Sequence, residues 1–209
     1  MSNMQGKAMR RWSLAVAILV PFLCNPSEGG EYGELRMDFD LNYFTYQDIE
    51  KVFKGNGKLW LHGTNYKHEA EGGAHCIYFQ ADSFPSGGLN FTYNKRVGEE
   101  WKHVPHAGTY IKEEDATNRP NPNSMSVLKS PGNPDVRTYR LIFDGRKGCY
   151  VFRVPGQHDG RGCMVLLTDQ VVSNGIDPTC QSMYDNACGR TPSYIKVFDD
   201  SCKNGVPNA

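Results

Sequence analysis

The sequence predicts an all-β protein: an eight-stranded antiparallel barrel with a short N-terminal helix and a C-terminal helix packed outside. Three observations carry this. Eight segments between residues 58 and 169 alternate apolar and polar residues with a period of two, separated by Gly-rich, Pro-Gly or Pro- and Asn-rich connectors. A single strong helix signal follows the eighth segment. Six cysteines follow an N-terminal export signal, and a helix pinned to a barrel wall accounts for them better than a two-sheet sandwich, the alternative architecture.

The elements are read in chain order. Residues 1–29 form a secretory signal peptide: Lys7, Arg10 and Arg11 make a basic start, and Leu14 to Cys24 is an apolar run broken only by Pro21. Asn25, Pro26, Ser27 and Gly29 make a small, polar exit. The run is too short for a spanning helix, and no later stretch is apolar enough. Residues 30–209 are therefore expected to be one soluble, extracellular, monomeric domain with no membrane span. Residues 31–43 are expected to wrap its surface. Phe44 to Phe53 reads as a short amphipathic helix with Thr45 as N-cap, ended by Gly55, Asn56 and Gly57. The strands are Lys58–Tyr66, Ala74–Ala81, Gly87–Asn94, Glu99–Ile111, Ser124–Lys129, Val136–Phe143, Gly148–Val154 and Gly162–Asp169. Asp177 to Cys188 reads as the late helix, with Asp177 as N-cap, Pro178 at its first position and Gly189 at its end. Ser193 to Phe198 is a last short strand.

Composition excludes some functions. The 209 residues carry 23 basic and 23 acidic side chains, so the balance gives no electrostatic support for nucleic-acid or membrane binding. No Gly-x-Ser-x-Gly, His-Glu-x-x-His or Gly-rich phosphate loop occurs, so no enzyme activity and no cofactor are expected. His103 and His106 fall on opposite faces of a strand, and His62 reads as a core or rim histidine, so no metal site is expected. Cleavage removes Cys24 and leaves Cys76, Cys149, Cys163, Cys180, Cys188 and Cys202. An even number in an exported chain reads as three disulfides, although spacing alone does not choose the pairing. Zinc is the competing reading, opposed by the lack of any Cys-x-x-Cys and by the oxidising route. Asn90-Phe91-Thr92 is the only glycosylation sequon. A glycosylated Asn90 must face outward, which turns Phe91 and Tyr93 inward.

The last third carries a resemblance. It reads Gly148-Cys149-Tyr150-Val151-Phe152, then Gly162-Cys163-Met164-Val165-Leu166-Leu167-Thr168-Asp169. Pro178-Thr179-Cys180-Gln181-Ser182-Met183-Tyr184, Cys188-Gly189 and Phe198-Asp199-Asp200-Ser201-Cys202-Lys203 follow. This resembles the tick salivary lipocalins, the family of the histamine-binding proteins. The match covers most of the mature chain by strand order. It is specific in the cysteine frame and in the Thr-Asp and Asp-x-x-Cys-Lys segments. By similarity the bridges are Cys76–Cys202 and Cys149–Cys180, which leaves Cys163 to pair with Cys188. The third bridge is similar to that of the Japanin-like subgroup, whose members are immunomodulators aimed at dendritic cells and whose barrel holds a sterol. Alternation along the strands agrees: with Cys149 and Cys163 outward, Tyr150, Phe152, Met164 and Leu166 point inward.

The resemblance also bears on the ligand. Amine-binding members place an Asp directly after the seventh-strand cysteine and Glu-Leu-Trp or Glu-Leu-Tyr on the eighth strand. Here those positions hold Tyr150 and Met164-Val165-Leu166, so both carboxylates that would pair a buried ammonium are gone. The expected lining is Trp60, Phe91, Tyr93, Trp101, Tyr139, Leu141, Phe143, Tyr150, Phe152, Met164 and Leu166. That set suits a small hydrophobic ligand, sterol first and fatty acid or eicosanoid second. An eicosanoid carboxylate would want a buried cation. Arg137 and Arg140 lie in opposite phases on the sixth strand, so only one faces in. The expected function is a secreted salivary lipocalin that holds such a ligand and modulates host immune or inflammatory responses, with dendritic cells as a target. The alternatives are a histamine or serotonin scavenger, or a barrel scaffold whose loops, Ser83 to Gly88 and Ala116 to Asn123, bind a host immune-cell surface protein.

Overall fold

The alternating segments become strands β1 (Lys58–Thr64), β2 (His75–Ser83), β3 (Gly88–Val97), β4 (Glu100–Ile111), β5 (Ser124–Leu128), β6 (Val136–Asp144), β7 (Cys149–Val154) and β8 (Gly162–Thr168). The computed structural model describes residues 35–67, 75–113, 119–128, 135–189 and 194–206. The export signal and Cys24 lie outside them. The strands run antiparallel in the order β2-β3-β4-β5-β6-β7-β8-β1. β1 then pairs with β2, Lys58 opposite Gln80 through Trp60 opposite Tyr78, and the sheet closes into a barrel.

The upper part of that seam is filled by the C-terminal tail. β9 (Ile195–Lys196) pairs with Gly63 and Thr64, beyond the point where β2 leaves β1. The Val197 N–H donates to the His62 carbonyl at 2.9 Å, and the Cys76 N–H donates to the Val197 carbonyl at 3.2 Å. The strand expected over Ser193–Phe198 is thus shorter, and it is part of the barrel wall. Gly63 sits directly under the Tyr194 ring, which leaves no room for a Cβ there.

Two helices flank the wall. α2 (Pro178–Cys188) has the expected ends: the Asp177 carboxylate accepts from the Thr179 N–H at 3.0 Å, Pro178 opens the helix, and Gly189 follows at φ 87°. The N-terminal helix differs from expectation. A 3-10 segment spans Leu41–Tyr46, and α1 covers only Ile49–Gly55. The N-cap is Asp48 and not Thr45; the Asp48 carboxylate accepts from the Lys51 N–H at 3.0 Å. Gln47 splits the run, because its buried amide donates to the Met37 and Ile142 carbonyls and so leaves the helix register. Within the segment expected to wrap the surface, Met37 and Asp38 are instead buried.

Burial divides into two layers. Inside the barrel, Leu59, Leu61, Ile77, Phe79, Leu89, Phe91, Met125, Leu141, Phe152, Met164 and Leu166 form one cluster, and Ile49, Val52 and Phe53 of α1 close one end of it. Outside, Trp60, Tyr78, Val151, Val165 and Leu167 pack under α2 and the tail with Tyr184, Ala187 and Phe198. The bridges Cys76–Cys202, Cys149–Cys180 and Cys163–Cys188 all lie in this outer layer, as the resemblance implies. Two of them fasten α2 to β7 and β8. Across the same layer Arg153, wholly buried on β7, donates to both oxygens of Asp38 and to the Ala187 carbonyl, each within 3.1 Å. Asp38 also takes Arg140 at 3.0 Å, and Arg140 reaches Glu113 at 3.2 Å.

Candidate functional site

Strand phase decides which side chains share the lumen. The outward cysteines on β7 and β8 turn Tyr150, Phe152, Met164 and Leu166 inward. On β3, Asn90 is exposed, with its amide donating to the Ser83 hydroxyl at 3.0 Å, while Phe91 and Tyr93 face in. Tyr139 and Leu141 face in from β6.

Three expected lining residues lie elsewhere. Trp60 is in the outer layer, where its indole N–H donates to Asp169 at 2.8 Å and its ring meets Phe198 at 5.3 Å. β1 is buried on both faces, so its alternation carries no sign of which face is inner; Leu59 and Leu61 are the inward pair. Trp101 packs on Tyr78 at 5.2 Å, outside, because the even-numbered residues of β4 face in. Phe143 is also outside, against Tyr46 at 5.3 Å, because a bulge between Leu141 and Phe143 reverses the phase of β6.

The lumen has two unlike ends. At the α1 end, the Tyr150 hydroxyl accepts from the Asn56 amide at 2.9 Å. Tyr110 lies partly buried against the same cluster, its phenol pushed up to about 12 by burial and the nearby Glu50 and Asp48. At the far end are Tyr66, Tyr93, His106, Arg137 and Tyr139. Arg137 shares the phase of Tyr139 and Leu141 and stands opposite Val127 of β5, so it faces the lumen; Arg140 faces outward to Asp38. The Arg137 guanidinium lies close to the Tyr139 hydroxyl. Burial opposes its charge, but Tyr139, Tyr66 and Tyr93 outweigh that and raise its pKa. Burial also raises all three phenols and lowers His106, which stacks on Phe91 at 5.4 Å. At neutral pH the charge of Arg137 therefore stands among neutral hydroxyls and a neutral imidazole.

Acids are placed outside. Asp82 is exposed and accepts from the Thr92 hydroxyl at 2.9 Å; Glu100 is exposed and held low by its hydrogen bond from Lys102. Among the described residues, no Asp or Glu belongs to the inner cluster. Cys149, Cys180 and Asp177 lie together, but the sulfurs are bonded to each other and the carboxylate caps α2. His103 faces outward to the Asn94 side chain, opposite in phase to His106. Sequence reasoning did not single out Tyr66, and it weighed His106 only as a metal ligand; both are half-buried, and only the barrel geometry brings them to Arg137.

His62 is buried outside the lumen against the Tyr194 hydroxyl. Burial, then the Lys196 charge, lowers it to about 4. Because the folded value lies below the unfolded one, the stabilising neutral form is intact above about pH 6.5, and stability falls as pH drops toward 4. The expected loss is at most about 3 kcal/mol over that window. Denaturant melts at stepped pH should show it, and His62→Gln should flatten that part of the profile; an unchanged slope in the variant would contradict the assignment.

The family model described as tick histamine binding protein matches residues 38–204. Apocrustacyanin C2 superposes with a TM-score of 0.52 at 10% identity, covering 83% of this chain and 92% of that one. Lobster apocrustacyanin A1 gives 0.51 at 11% identity, with coverages of 83% and 92%. Japanin from Rhipicephalus appendiculatus, solved bound to cholesterol, gives 0.49 at 14% identity, covering 70% of this chain and 95% of that one. No curated protein sequence matches the chain.

Proposed function

The chain belongs to the tick histamine-binding protein family, and from that membership we infer that it is a secreted salivary carrier taking one small hydrophobic ligand into its lipocalin barrel. Through that ligand it modulates host immune or inflammatory responses, with dendritic cells among its targets. The observation that carries this reading is the inner face itself. Apart from Arg137 and His106 it is aromatic and aliphatic, and the one buried acid among the described residues, Asp38, lies outside the barrel. Tyr150 and Met164 point into the lumen at the positions where amine-binding members of the family carry acids. An ammonium placed there would lose its hydration without gaining a counter-charge, and that costs several kcal/mol. An apolar ligand burying about 400 Å² would instead gain on the order of 10 kcal/mol before association costs.

A solution experiment separates the two ligand classes. Titration calorimetry of delipidated protein with histamine and serotonin should give no sub-micromolar binding. A hydrophobic fluorescent probe should bind one-to-one and be displaced by lipid. Sub-micromolar histamine binding together with failure of the probe to bind would reverse the reading. Asn90 is exposed and takes a glycan in the secreted protein on this account. Phe84, 41% exposed in the Ser83–Gly88 loop, favours a second use of the barrel, as a scaffold that contacts a host protein. Phe84→Ala should then weaken that contact and leave probe binding unchanged.

A further inference from the structure

The last stave of the barrel wall is borrowed from the C-terminal tail, and it is lightly bonded. β1 and β2 share three cross-strand pairs among the described residues, where β3 and β4 share ten. Above those three pairs the seam is one extended chain thick. Val197 turns into the inner cluster, and its neighbour Phe198 packs on Trp60 outside. The N–H groups of Val197 and Phe198 share the His62 carbonyl, at 2.9 and 3.3 Å, and the Val197 carbonyl takes the Cys76 N–H. β9 adds two pairs with β1.

The seat of this strap is nevertheless specific. The Tyr194 ring occupies the space that a Cβ on residue 63 would need, and it meets the Tyr184 ring of α2 at 5.2 Å. The Tyr194 hydroxyl is hydrogen-bonded to Nδ1 of His62. Both ends are stapled, Cys188 to Cys163 on β8 and Cys202 to Cys76 on β2. Residues 189–201 between the staples can therefore lift without breaking a covalent bond. Cys76, where β2 turns away from β1, sits at φ 65°, a left-handed conformation that is costly for a residue with a Cβ. Its bond to Val197 helps to hold it there, so lifting the strap also relieves the backbone of β2.

We propose that this strap is a side gate of the lumen. It lifts between its two staples to let a hydrophobic ligand pass the wall, and Tyr194 is the latch that reseats it. This rests on the carrier reading and adds the route by which the cargo enters and leaves. Opening costs the few bonds named above and leaves strands β1 to β8 paired. A gate sets how fast a ligand exchanges and leaves its affinity alone, whereas a lining residue changes affinity.

Stopped-flow fluorescence with N-phenyl-1-naphthylamine, a neutral hydrophobic probe, reads entry and release separately. Tyr194→Phe keeps the ring on Gly63 and removes the hydroxyl. Both rates should rise about 3- to 10-fold, with the dissociation constant held within about 2-fold. Hydrogen exchange at the Val197 and Phe198 amides should quicken alongside, with β7 and β8 unchanged. Thr64→Cys with Ile195→Cys places two thiols on a facing pair, and their disulfide ties the strap to β1. In that protein both rates should fall by about 10-fold or more. Unchanged rates in the cross-linked protein, with the link verified by mass, overturn the gate and leave the carrier reading standing. So does a Tyr194→Phe protein that exchanges probe like the unaltered one, which decides the matter alone if the cross-linked variant fails to fold. Failure of the unaltered protein to take up the probe at all overturns the carrier reading and the gate together.

Discussion

Replacing Asp38 with Ala is expected to lower the stability of the fold by about 3–5 kcal/mol, the loss that follows when one member of a buried ion pair is removed. Asp38 and Arg153 are both wholly excluded from solvent, and Arg153 has no route to water through which its charge could be rehydrated. Asp38 also pairs with Arg140, so its loss removes a counter-charge from two guanidiniums at once, with Glu113 left beside Arg140. Three parts of the chain converge there: the N-terminal segment through Asp38, β7 through Arg153, and the end of α2 through the Ala187 carbonyl. Asp38→Asn keeps the shape and removes the charge, and should lose a large share of the same stability. Guanidinium melts with the disulfides intact measure both. A loss below 1 kcal/mol for Asp38→Ala would mean that the pair behaves as a solvated surface contact.

Removing the Cys76–Cys202 bridge by Cys76→Ala with Cys202→Ala should be comparably severe. The bridge joins residues 126 apart, and the chain-entropy estimate for such a loop is about 5 kcal/mol. The Cys163–Cys188 bridge spans 25 residues and should be worth about 3.5 kcal/mol by the same estimate. The local consequence separates the two further. Cys202 holds the tail whose Val197 contributes to the inner cluster and whose backbone bonds bridge β1 to β2. Freed of the bridge, that seam should open first. Hydrogen exchange at the amides of Val197 and of position 76 should rise well before the rest of the barrel melts. Equal protection with and without the bridge would contradict the tail's role in the wall.

How much of this was legible in the sequence depended on whether a strand carried an anchor of known face. Cys149, Cys163 and the Asn90 sequon each marked an outward position, and the neighbours on those strands face as alternation requires. β1 and β4 carried no such anchor. There the largest aromatic was read as inward, and Trp60 and Trp101 instead serve the outer layer that α2 and the tail create. A second buried face of this kind is invisible to period-two reasoning, because both phases of β1 are apolar. Phe143 failed for a different reason. A bulge leaves no mark in the residue types, yet it inverts every position after it. Arg137 and Arg140 could not be separated from sequence, since each precedes a residue of the opposite phase and no anchor lay nearby. The helix ends at Asp177 and Gly189 were readable because capping is local chemistry. Asp38 was not, because its partners lie about a hundred residues away.

The central claim is that the barrel carries a small hydrophobic ligand, and native mass spectrometry of protein purified from a secretory expression host tests it most directly. The account predicts one added mass per chain, released on denaturation and recovered by lipid extraction as a single small apolar or amphipathic compound. The delipidated protein should regain one equivalent when incubated with lipid. A spectrum showing the polypeptide and its glycan alone, with no uptake of any lipid by the delipidated barrel, would contradict it.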